Sequence, residues 1–191
     1  MIYLYQHLKN LSVVAFGYVA SYFIVEKIFG AFEAAFNSNY LLASLFFLPH
    51  GVRILATLIF GPGAAFIYLL FSSMLVTLIP NFGSDLALSV QVAQNTVGAA
   101  SAPIAFKILS FTLGDNEVYF KKISLRSWRI LLLAIVLASV INSIGQTLVV
   151  DVYAIDHIDM SLLLLSYLTG DFFGAVTIIG ICRLALNRLN S

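Results

Sequence analysis

The stretch Phe47-Leu48-Pro49-His50-Gly51-Val52-Arg53-Ile54-Leu55-Ala56-Thr57-Leu58-Ile59-Phe60-Gly61 is apolar enough to lie in a bilayer, yet it holds a proline, a histidine and an arginine. A proline inside a helix removes a backbone hydrogen bond and frees a carbonyl. A charge at membrane depth costs roughly 3 kcal/mol or more, so it faces a protein interior and has a partner or a function. These polar groups therefore set the question that the rest of the chain has to answer.

Around this stretch the composition is that of a membrane protein. Of 191 residues, 61% are hydrophobic and 10% charged, with a mean hydropathy of +0.99; soluble domains carry about 25% charged residues. Since the apolar segments fill most of these 191 residues, no soluble catalytic or output domain is expected among them. Cys182 is the single cysteine, which excludes a disulfide framework and a cysteine-based zinc site. The first apolar run is followed by Glu26 and Lys27 rather than a small-residue cleavage site, so it does not read as a cleavable signal peptide.

Spanning takes about 20 mostly apolar residues. Runs of this kind cover roughly 11–30, 40–60, 64–79, 86–113, 128–150 and 160–186. The expectation is one all-α domain over 1–191, a polytopic integral membrane protein with about six transmembrane helices. Gly61-Pro62-Gly63 is a turn signal that makes the second and third helices antiparallel neighbours.

The charge distribution then predicts orientation. With the N-terminus in the cytoplasm and six alternating helices, Lys9, Lys107, Lys121, Lys122, Arg126, Arg129, Arg183 and Arg188 fall inside, and Lys27 alone falls outside. Glu26, Glu33, Asp85, Asp151, Asp156 and Asp159 fall outside. By the positive-inside rule both termini are cytoplasmic. The same rule accounts for the basic loop carrying Lys121, Lys122, Arg126 and Arg129 before any lipid or partner is invoked.

Two full charges lie at depth, Arg53 on the second helix and Asp171 on the sixth. Counted from their external ends they are level, which predicts an ion pair between them. Gln91 and Asn95 on the fourth helix are spaced i, i+4, and Asn142 and Gln146 form a similar stripe on the fifth. Gly170 and Gly174 make a GxxxG step that allows close helix approach beside Asp171. Pro49 is expected at a kink in the second helix, and Pro49 and Gly51, like Gly170 and Gly174, are expected at helix-packing contacts.

Together these residues predict one polar interior shared by helices two, four, five and six. It either holds the bundle together, at about 0.6 kcal/mol per interhelical hydrogen bond, or forms a small-molecule pocket with the ion pair at its floor. His50 lacks a second histidine at depth, since His7 and His157 lie near opposite surfaces. It is therefore expected to be hydrogen-bonded near the proline rather than bound to haem. No cofactor is indicated. No nucleotide-binding loop, metalloprotease motif, catalytic triad order or nucleic-acid patch is present in the sequence, and the expectation is a non-enzyme that does not bind nucleic acid.

Phe47 to Gly61, keeping Pro49 and Gly51, resembles the tryptophan-proline-proline-alanine-glycine helix of MASE1, the bacterial membrane-associated sensor domain. Gln94-Asn95-Thr96 with Ile104-Ala105-Phe106-Lys107 is similar to that family's Gly-Asn-Thr helix. Leu125-Arg126-Ser127-Trp128 and Gly170-Asp171-Phe172-Phe173-Gly174 resemble its later motifs. The resemblance runs in order over about residues 15–185. It implies a multi-pass sensor-like or accessory subunit of the bacterial inner membrane. With no output domain of its own, it would act through a separate membrane or cytoplasmic protein.

Six helices and a Phe-Gly-Pro turn also resemble the substrate-binding subunit of an energy-coupling-factor vitamin transporter. Ala15 and Ala20 are five apart, however, so that family's Ala-x-x-x-Ala step is absent. A structural subunit of a larger membrane complex is the remaining alternative.

Overall fold

The computed structural model describes residues 2–29, 46–79, 86–114, 125–153 and 159–189. Within them the chain forms six α-helices: α1 (Ile2–Ile24), α2 (Leu48–Phe60), α3 (Pro62–Leu78), α4 (Leu88–Leu113), α5 (Leu125–Val152) and α6 (Met160–Leu189). There is no strand among the described residues. α1 continues into a π-helical turn, Val25–Phe29, which carries Glu26 and Lys27.

α2 starts later than the apolar pattern suggests. The run expected over 40–60 enters its helix only at Leu48, with Phe47 as the capping residue and Pro49 in the first turn. Residues 40–45 lie outside the described set. Pro49 is therefore not a mid-helix kink. In the first turn its missing N–H is one that would have no intrahelical acceptor, and its fixed φ already suits a helix. At the other end Gly61 takes φ 76°, a left-handed value that favours glycine. Its N–H bonds the Thr57 carbonyl, and its own carbonyl accepts from Ala65. Pro62 then opens α3 at once, so the chain reverses within a single residue.

The short α2 packs against each of the other five helices, and those five succeed one another in contact as α1, α3, α4, α5 and α6. Two apolar clusters flank it. On one side Ile54 packs with Ala102, Phe106, Ile135, Ala138 and Ile179. On the other Ala56 packs with Val14, Tyr18, Ala65, Leu69 and Ala99. Small residues dominate α2's neighbours on α4, which allows close helix approach where lipid supplies no hydrophobic drive.

The polarity of the bundle is inverted relative to a soluble protein. Phe111 is 93% exposed and Phe16 79%, while Asp171, Asn142 and Arg53 are buried. Four helical segments are long and apolar enough to cross a membrane: Leu4–Ile28, Leu88–Leu113, Trp128–Val152 and Met160–Ala185. The two shorter apolar helices, α2 and α3, have 13 and 17 residues. At about 1.5 Å per residue, α2 is only about 20 Å long, against a hydrocarbon core of about 30 Å. These lengths and apolar surfaces identify a multi-pass membrane protein.

Candidate functional site

The first turn of α2 begins inside the bundle. The Phe47 N–H donates to the Gly170 carbonyl of α6 at 3.0 Å. Gly170 is about 15 Å along α6 from Met160 at the usual helical rise, close to half the thickness of a bilayer core. A Cβ on Gly174 would run into the Phe47 carbonyl group, and one on Gly51 would strike Ile178. The Gly170/Gly174 step and Gly51 therefore let the start of α2 lie directly on α6.

That seating sets which side chains meet. His50 and Arg53, three residues apart, share a face of α2. His50 Nδ1 lies 3.6 Å from Asp171 Oδ1, with the two side chains 0% and 1% exposed. The other carboxylate oxygen, Oδ2, accepts a 2.6 Å hydrogen bond from Asn142 Nδ2. Asn142 Oδ1 accepts from Gln146 Nε2 at 3.4 Å, and Gln146 Nε2 also donates to the Gln94 carbonyl at 2.9 Å. A polar chain thus runs from α4 through α5 and α6 to α2.

Arg53 points elsewhere. Its Nη2 donates to the Tyr18 hydroxyl of α1 at 2.9 Å. The guanidinium carbon stands 5.7 Å from the Tyr18 ring centre and 5.2 Å from that of Phe47, distances at which ring quadrupoles stabilise a cation. On its third side it lies against Gly98, where an added Cβ would fall 2.5 Å from Nη2. Arg53 is 4% exposed.

The expected Arg53–Asp171 ion pair is therefore not formed. Among the described residues, the partner within 4.0 Å of Asp171 is His50. The depth count failed because it started the second helix at Tyr40. With Phe47 seated on Gly170, His50 rather than Arg53 comes level with Asp171. Gln91 and Asn95 also lie outside this constellation. Gln91 Nε2 bonds the Leu86 carbonyl in its own helix's entry, and Asn95 Nδ2 faces Met74 Sδ of α3 at 3.6 Å. The polar contribution of α4 is instead the Gln94 backbone carbonyl. Tyr18 was missed by the sequence reading; its signal is a phenol in the middle of an apolar run, away from the interfaces where tyrosine usually sits.

Among the described residues, several polar atoms of this core have no hydrogen-bond partner: both ring nitrogens of His50, Nε and Nη1 of Arg53, Oδ1 of Asp171 and the Ser139 hydroxyl. Buried polar groups are paired in the large majority of cases, and exceptions at one place call for an explanation. The donors and acceptors sit around a helix N-terminus placed at membrane depth, an arrangement suited to binding a polar group. Among the described residues no group of three or more His, Cys, Asp or Glu side chains could hold a metal ion. No family model matches this chain, and neither the curated proteins nor the solved structures compared with it give a match.

Proposed function

We propose that the chain is a sensor-like or accessory subunit of the bacterial inner membrane. It binds a small molecule in its polar core and passes the occupancy to a separate partner protein without a catalytic step of its own. The observation that carries this reading is the concentration of unpartnered atoms on His50, Arg53 and Asp171 at the buried start of α2. A core serving only to hold helices together would be expected to close its hydrogen bonds, because an unpaired buried group costs about 1–3 kcal/mol. α2 contacts every other helix, so a ligand that shifts its first turn has a route to the whole bundle.

The finer topology belongs to the same proposal. The chain crosses the membrane about six times, and both termini lie in the cytoplasm. The motif order that resembles MASE1 supports a sensing role. Affinity capture of the protein in mild detergent, with native mass spectrometry of the isolated subunit, tests the proposal. A kinase or cyclase partner and a bound small molecule are expected. A partner with an ATPase subunit would point instead to vitamin capture for transport, and a fixed large assembly with no small molecule to a structural role.

A further inference from the structure

The orphaned atoms are of two kinds. Arg53 Nε and Nη1 are donors with no acceptor, Asp171 Oδ1 is an acceptor with no donor, and His50 offers one of each when its ring is neutral. The charges are equally balanced. Arg53 keeps its positive charge in a protein, and Asp171 is the one buried carboxylate among the described residues. Counted as formal charges, Arg53 and Asp171 contribute one of each sign to the core.

We propose that this site takes a ligand of no net charge that carries a hydrogen-bond acceptor and a hydrogen-bond donor at separate positions, as a zwitterion or a neutral amide does. The inference rests on reading the polar interior as a ligand site. An anion would satisfy Arg53 but set a second negative charge near Asp171, in a region where screening is weak. A cation would satisfy Asp171 and meet the guanidinium. A purely apolar ligand would leave every orphaned atom unpaired. Only a ligand with both functions closes the open donors and the open acceptor while leaving the core neutral. Its acceptor faces Arg53, its donor faces Asp171, and His50 takes whichever group lies between them.

The test uses the whole protein in detergent or nanodiscs. Thermal unfolding is followed with glycine, acetamide, sodium acetate or methylammonium chloride, all at matched ionic strength. The ligand co-purifying from the producing cells is identified by native mass spectrometry. Glycine or acetamide should raise the midpoint saturably, at about tenfold lower concentration than either ion, and Arg53→Lys and Asp171→Asn should each abolish the response. Glycine alone acting identifies a zwitterion, and acetamide alone a neutral amide. A co-purified molecule of zero net charge also supports the proposal. A stronger response to acetate or methylammonium, or a co-purified ion, overturns it while leaving the ligand site standing. No response to any probe together with no co-purified molecule removes the ligand site itself.

Discussion

His50 Nδ1 stands 3.6 Å from Asp171 Oδ1, and the residue before Asp171 is the one whose carbonyl receives the Phe47 N–H. The carboxylate is thereby held beside the N-terminal turn of α2, the end of a helix that favours negative charge. One side chain has three tasks. It faces His50, it accepts from Asn142, and it offsets Arg53 within the same low-dielectric core.

Removing that carboxylate leaves Arg53 buried with no counter-charge. Asp171→Ala should destabilise the protein by about 3–5 kcal/mol and lower its level in the membrane. Neutralising both positions, as Arg53→Met with Asp171→Leu, should restore much of the lost level. The exchange Arg53→Asp with Asp171→Arg should not, because Arg53 is fitted to Tyr18 and Gly98 whereas Asp171 is fitted to Asn142 and His50. Detergent melting and membrane yield distinguish these outcomes; rescue by the exchange would indicate a direct pair.

The seating of α2 on α6 depends on glycine at Gly51 and at Gly174. Gly174→Ala places a methyl against the Phe47 carbonyl group, a backbone atom that has little freedom to move. A loss of about 1–3 kcal/mol is expected, the usual effect of overpacking. Gly180→Ala, on the same helix with nothing within 4 Å of the new Cβ, serves as the control and should melt at or slightly above the wild-type temperature.

Two asparagines that look alike in the sequence should behave differently. Asn142→Ala removes a 2.6 Å hydrogen bond to a buried carboxylate, a class of bond that contributes about 1.5–3 kcal/mol. Asn95→Ala removes only a 3.6 Å contact with the Met74 sulfur and should change stability by less than about 1 kcal/mol, the ordinary contribution of a neutral hydrogen bond. Equal losses in the two variants would mean that the core does not extend as described.

The contrast between those asparagines also marks what the sequence could reveal. Length, hydropathy and the Gly61-Pro62 turn make the helices legible, because each is a local property. α1, α4, α5 and α6 fall where the apolar runs place them, with ends shifted by a few residues at most positions and by nine at the start of α1. The polarity of Asp171, Asn142 and Gln146 was legible for the same reason, since a polar group in a long apolar run must face inward. Register was not. Whether His50 or Arg53 meets Asp171 depends on where α2 starts, and that is fixed by a hydrogen bond between Phe47 and Gly170, residues distant in sequence. Helical spacing likewise puts Gln91 and Asn95 on one face without saying which neighbour that face meets.

Tyr18→Phe isolates the hold on Arg53. The ring stays, so the stacking of the guanidinium at 5.7 Å is kept, while the acceptor of the 2.9 Å bond from Nη2 is lost. Hydrogen bonds to charged groups contribute about 1.5–3 kcal/mol, and the loss should fall in that range. It should nearly vanish in an Arg53→Met background, since the hydroxyl then has no cation to serve. A double-mutant cycle by thermal melting reads this directly, and additive losses would show that Tyr18 acts independently of Arg53.

The proposed sidedness rests on how the helices end. α4 and α5 run antiparallel, and the Arg183 guanidinium near the end of α6 lies 5.4 Å from the Trp128 ring centre near the start of α5. Arg129, Arg183 and Arg188 therefore gather at one end of the bundle. Asp151 closes α5 and Asp159 receives the first N–H groups of α6, both at the opposite end. With the basic end in the cytoplasm, a membrane-impermeant maleimide applied to intact cells should label Asp151→Cys in a Cys182→Ser background. It should label Arg129→Cys and Arg188→Cys only after the membrane is permeabilised. Because Arg129 and Arg188 lie on different helices that meet at the same end, both must switch together. Labelling of only one of them in intact cells would contradict the shared end, whereas labelling of both, with Asp151→Cys protected, would reverse the orientation and leave the helix packing intact.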